Sequence, residues 1–209
     1  MTYTKKITKK ILAMALAMIM LFTINTSQAY ASGSVTPSLG PYRLEYGISH
    51  VNYYITDSVL NHPMGSTLVT LINNAANSWV DTGYGWNPLY MYRSYDLYNS
   101  NMDFYLREGY VEGFIRGNIT YWNGNSANPV QTYPHQSNWV YSEITLFITM
   151  FDQNDLNSIQ RAIAYFMGSG FGLATTQDPN SVMCSFYTKC NVYKPGIMDH
   201  NGLNAMYNN

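Results

Sequence analysis

Between Gly65 and Val80 the apolar residues Leu68, Leu71, Ile72, Ala75, Ala76 and Trp79 recur at three- and four-residue spacings. That rhythm puts one apolar stripe along a helix, and such a stripe has to be buried against another apolar layer. Gly83, Gly85 and Pro88 stop the run. Leu156, Ile159, Ile163, Phe166 and Met167 mark a second helix, ending among the glycines of residues 168–172, where helical preference is weak. The layer they need is supplied by strand-like segments at residues 51–55, 89–93, 102–106 and 143–151, the last alternating Thr145 and Thr149 with Ile144, Leu146, Ile148 and Met150. A closing helix is expected to begin near Pro195 or Asp199. Residues 107–142, heavy in Gly, Asn, Pro and Tyr, read as a long loop with at most one short strand near 117–121. The order strand, helix, strands, helix, loop, helix predicts an α/β or α+β fold with a mixed sheet.

Residues 1–31 carry Lys5, Lys6, Lys9 and Lys10, then a 14-residue apolar run at 11–24, then Ala29-Tyr30-Ala31. This is the layout of a cleaved secretory signal, and the apolar run is shorter than the ~20 residues of a spanning helix. The expected product is exported and extracellular, with no stable membrane insertion after cleavage. Residues 32–50 read as a leader, flexible through its Gly, Pro and Ser as far as Pro41, and residues 51–209 as one domain. Without the four lysines, seven basic side chains face twelve acidic ones, a net charge of −5 that disfavours nucleic acid as a partner. In an oxidising compartment Cys184 and Cys190, six residues apart, are expected to be bonded.

The exit of the second helix reads Ile163-Ala164-Tyr165-Phe166-Met167-Gly168-Ser169-Gly170-Phe171-Gly172-Leu173-Ala174-Thr175, followed by Asp178-Pro179-Asn180-Ser181-Val182-Met183. This resembles the matrixin branch of the metzincin metallopeptidases, whose helix carries HExGHxxGLxH before a tight turn around a methionine. Gly168, Gly172 and Leu173 match that pattern, and Ser181, Val182 and Met183 match the methionine turn. Tyr141-Ser142-Glu143-Ile144 looks like the preceding strand and residues 199–207 like the closing helix. The resemblance implies a metzincin-like (zincin) domain with a mixed twisted sheet, an active-site-type helix, a methionine turn and a C-terminal helix. In the family, zinc is held by three histidines and a glutamate serves as general base. Here the ligand positions hold Tyr165, Ser169 and Thr175, and the base position holds Phe166. A phenylalanine accepts no proton, so the expectation is the fold without the catalysis, and no cofactor.

What remains is a groove beneath the strand at 143–151, expected to offer an edge that pairs with an extended peptide. A secreted pseudopeptidase binding protein or peptide there is the leading expectation; the plainer alternative is that Tyr165 and Phe166 only fill the space left by zinc. An active zinc metalloendopeptidase with a non-standard metal site is a second reading, built from His50, His62, His135, His200 or Tyr187. A third is a carbohydrate or cell-wall binder using aromatics such as Tyr84, Trp86, Tyr90, Tyr92, Tyr95 and Tyr98, which pack as core and strand face unless they are exposed and coplanar. Asp103, Glu108 and Glu112 form a conceivable carboxylate set, with solvent-facing charge as the simpler reading.

Overall fold

A computed structural model describes residues 35–108, 117–124, 128–148, 155–187 and 189–208. The signal-like residues 1–31 lie outside these. The elements are β1 (Val51–Ile55), α1 (Asp57–Leu60), α2 (Gly65–Val80), β2 (Met91–Ser94), β3 (Met102–Arg107), β4 (Gly117–Asn123), β5 (Val130–Thr132), β6 (Tyr141–Phe147), α3 (Leu156–Phe171) and α4 (Ile197–Tyr207). Six strands form one sheet in the order β2-β1-β3-β6-β4-β5. The first four run parallel, and β4 is antiparallel to both β6 and β5. The fold is a mixed α+β arrangement around a mostly parallel sheet.

Residue alternation divides the sheet's two faces. Tyr53, Met102, Ser142 and Tyr121 share a register row facing the helices: Tyr53 Oη donates to Asn73 of α2, and Met102 and Ser142 meet α3 at Gly170. Val51, Ile55, Phe104, Leu106, Ile144 and Leu146 complete that apolar face. The two long helices pack on each other through Trp79, which is fully buried, stands edge-on to Phe171 at 5.5 Å and donates its indole N–H to the Ala164 carbonyl at 2.9 Å. The stripe expected on α2 is the buried one: Leu68, Leu71, Ile72, Ala75, Ala76 and Trp79 all face inward.

Four expectations are corrected. Residues 35–50 are part of the domain rather than a leader before it: Thr36, Leu44 and Ile48 are buried, Ser38 bridges to Leu173, and Leu39 N–H donates to the Gly172 carbonyl. Gly and Pro at 40 and 41 gave the segment a loop composition, but it is hydrogen-bonded to α4, with Thr36 N–H donating to the Met198 carbonyl and Leu44 N–H to the Tyr207 hydroxyl. The stretch expected to hold at most one strand holds two, because β5 hydrogen-bonds to the end of β4. The strand expected at 143–151 runs as Tyr141–Phe147, with 149–151 outside the described residues. It is no edge either: β6 lies between β3 and β4.

Candidate functional site

The site region forms where α3 ends. Asp155 caps its start by accepting the Ser158 N–H at 2.9 Å, and Gly172 closes it with φ +104°, a conformation that a side chain disfavours. Gly168 permits a close approach: a Cβ there would fall 2.4 Å from Met183 Sδ and 2.7 Å from the Trp79 ring. The Met183 thioether therefore lies directly against the helix, and Met183 is fully buried.

The turn around Met183 is built on itself and on α4. Cys184 N–H donates to the Ser181 carbonyl at 3.1 Å and Met183 N–H to Ser181 Oγ at 3.0 Å. Asp199, completely buried on the first turn of α4, gathers four donors. Its Oδ1 accepts from Thr36 Oγ1 at 2.8 Å and from Ser181 Oγ, and its Oδ2 accepts the Val182 and Gly196 N–H groups, each at 2.8 Å. One carboxylate thus ties the N-terminal segment, the turn around Met183 and the last helix together. Next to it His200 is buried, and burial lowers its pKa. Asn208 Nδ2 donates to Asn204 Oδ1, which turns the Asn204 amide nitrogen toward His200 Nε2. On its other side, His200 Nδ1 and Thr82 Oγ1 share a hydrogen bond of 2.8 Å.

The four positions aligned with zinc ligands and base interact with their surroundings as ordinary side chains. Tyr165 Oη and Thr175 Oγ1 share a hydrogen bond of 2.5 Å. Phe166 is buried, and its ring edge stands where a Cβ on Gly117 of β4 would fall, 2.8 Å away. Ser169 is buried, and its carbonyl accepts from the Tyr121 hydroxyl at 3.1 Å, whose pKa burial pushes up. Phe186 joins Tyr165 and Phe166 at ring separations of 4.7 and 6.2 Å, and the Arg161 guanidinium covers it at 5.1 Å. Phe186 carried no sequence signal; only the return of the chain after the turn around Met183 brings it here. A hydroxyl pair and three aromatic rings do not make a zinc site, whose donors are imidazole nitrogen, thiolate or carboxylate.

Among the described residues the four histidines join no group of three ligating side chains. His50 and His135 are exposed, His62 Nδ1 accepts from Met64 N–H, and His200 is engaged as described. Tyr187 is 80% exposed. Among the described residues no group of three His, Cys, Asp or Glu is placed to hold a metal ion. Cys184 and Cys190 are bonded to each other just after the turn. Replacing both by serine is expected to cost about 2 kcal/mol, from the loop they close, as read from the shift of a urea midpoint.

The aromatics divide differently from the expectation that they pack. Trp139 and Tyr121 are buried, but Trp86, Tyr95 and Tyr98 are largely exposed, since they sit on the turns around β2 rather than on strand faces. Tyr90 and Tyr92 are exposed too, with ring planes inclined by 44° rather than coplanar. Glu108 is exposed, Glu112 lies outside the described residues, and Asp103 is buried beside a different carboxylate, Glu143. Among the described residues no helix is long and apolar enough to cross a membrane. Compared with known proteins, the chain matches no family model and no curated protein.

Proposed function

We propose that this chain is an exported, matrixin-like protein that has lost zinc peptidase chemistry and binds a protein or peptide segment along the former cleft. The observation that carries the loss is the occupation of the four key positions: Tyr165 and Thr175 bond to each other, Ser169 is buried, and the Phe166 ring packs onto β4. Support for the family reading comes from the succession of β6, α3, the bend at Gly172, a buried Met183 against Gly168, and α4. The Cys184–Cys190 bond agrees with export. Binding is supported by β4: β5 covers only Tyr121–Asn123, so the outer edge of residues 117–120 has no strand partner among the described residues. An extended peptide adds to such an edge through main-chain hydrogen bonds.

Purified protein incubated with zinc and then dialysed is expected to hold no stoichiometric metal and to cleave no peptide. Stoichiometric zinc with cleavage overturns the proposal. For binding, a displayed random-peptide library is expected to enrich ligands whose affinity falls about tenfold on Tyr165→Ala. A library that enriches nothing, or ligands indifferent to Tyr165 and Thr175, leaves the aromatics as filler and defeats the binding half.

A further inference from the structure

The sheet face opposite α2 and α3 carries chemistry that the former cleft does not use. Asp103 of β3 and Glu143 of β6 are direct register partners, and Tyr105 and Tyr141, two residues away along their strands, point the same way. A cavity of about 690 Å³ opens over them, with Glu45, Tyr46 and Tyr98 at its margin. Asp103 is 3% exposed; Ser100 Oγ donates to its Oδ1, and among the described residues no hydrogen bond reaches Oδ2. The groups that act on the Asp103 carboxyl are the Ser100 hydroxyl and the Glu143 carboxylate, with no basic side chain among them.

Two adjacent carboxyl groups without a countercharge are costly to bury. The groups facing Asp103 are acidic or neutral: Glu143 and Tyr141 on β6, Tyr105 on β3, Ser100 and Tyr98 on the turn before β3, and Glu45 and Tyr46 on the N-terminal segment. The nearest basic group on its own strand, Arg107, sits over the Tyr105 ring, 5.8 Å from its centre. Burial, with the Glu143 charge adding to it and the Ser100 hydrogen bond opposing it, raises the Asp103 pKa to about 7. The Tyr105 phenol is pushed up to about 12 by burial and by the same two carboxylates. Near neutral pH a proton on Asp103 thus serves in place of a missing positive charge.

What cation fits follows from the rest of the lining. A hard metal ion takes six or more oxygen ligands, and no group of three acidic or histidine side chains is placed for one among the described residues. The cavity is far larger than a bare ion, and four tyrosine rings line it beside the carboxylates. Aromatic faces with adjacent negative charge suit ammonium and guanidinium groups. We propose that this cavity binds a small organic cation, its ammonium or guanidinium group held between Asp103 and Glu143 and flanked by the tyrosines.

Titration calorimetry of the mature chain with butylguanidinium is expected to show saturable one-to-one binding at pH 8. Below about pH 7, where Asp103 holds its proton, binding should release up to one proton and weaken about tenfold for each further pH unit. Asp103→Asn and, separately, Glu143→Gln are each expected to weaken it at least tenfold; Glu143 is half-buried, so its variant is an independent check that leaves the buried Asp103 carboxyl in place. The proposal fails if butylguanidinium does not saturate, or if both variants bind like the parent. It fails equally if a neutral chitin trimer binds in the same cavity with higher affinity, which would make this a sugar site.

Discussion

Asp199→Ala is expected to lower the stability of the fold by about 3–5 kcal/mol, more than any single hydrogen bond contributes. The carboxylate is completely buried and serves four donors from three separate parts of the chain. Removing it leaves the Val182 and Gly196 N–H groups in a dry site with no acceptor, and each such orphan costs about 1–3 kcal/mol. Asp199→Asn is expected to cost less, about 1–2 kcal/mol. Its remaining oxygen can serve the two backbone donors, while the Thr36 and Ser181 hydroxyls turn to accept from the new amide, as backbone N–H groups cannot. Urea unfolding followed by circular dichroism measures both. An Asp199→Ala variant within 1 kcal/mol of the parent would sink the view that this carboxylate joins the turn to the two termini of the domain.

Asp103→Asn is expected to act in the opposite direction, and to do so only above the pH at which the unfolded chain releases the Asp103 proton. The parent carboxyl holds a pKa of about 7 in the fold against 3.8 in its ordinary state. Well below pH 4 it is protonated folded or unfolded, and the two proteins are equally stable. Between about 4 and 7 the native state keeps a proton that the unfolded chain has released, so parent stability falls as pH rises. A tenfold change in proton affinity is worth about 1.4 kcal/mol, which puts the gain from Asp103→Asn at about 2 kcal/mol at pH 5 and about 4 kcal/mol at pH 8. His200 titrates in the contrary sense: its lowered pKa removes stability as pH falls below about 6.5. It is common to both proteins and cancels from the difference. Unfolding midpoints of the pair at pH 5 and pH 8 decide the matter, and a difference that is flat with pH would show that Asp103 carries no such penalty.

These two aspartates differ in how far the sequence reveals them. Asp199 was legible as a residue of a closing helix, but nothing local showed that Thr36, 163 residues earlier, would donate to it. Asp103 was legible as a strand residue, and the natural acidic neighbours to consider were Glu108 and Glu112. Its actual neighbour is Glu143, forty positions away, because β3 pairs in parallel with β6. A parallel pair requires a long crossover, so its register cannot be read from adjacent turns. The same non-locality hid the place of β6. Its apolar alternation was correct, yet alternation is identical for an inner strand and an edge strand, and only the pairing with β4 decides between them.

By itself the sequence determined whatever depends on neighbours a turn or two away. The stripe on α2, the glycine exit of α3, the turn around Met183 and the absence of His and Glu at positions 165, 166, 169 and 175 were all readable, because helical periodicity and residue chemistry are local. Tertiary structure alone decided that Phe186 would complete the aromatic cluster, that residues 35–50 would belong to the domain, and that Asp103 and Glu143 would share a cavity. The reason is physical: these contacts arise from sheet register and chain return, which minimise exposed apolar surface over the whole domain and leave no periodic trace in any one segment.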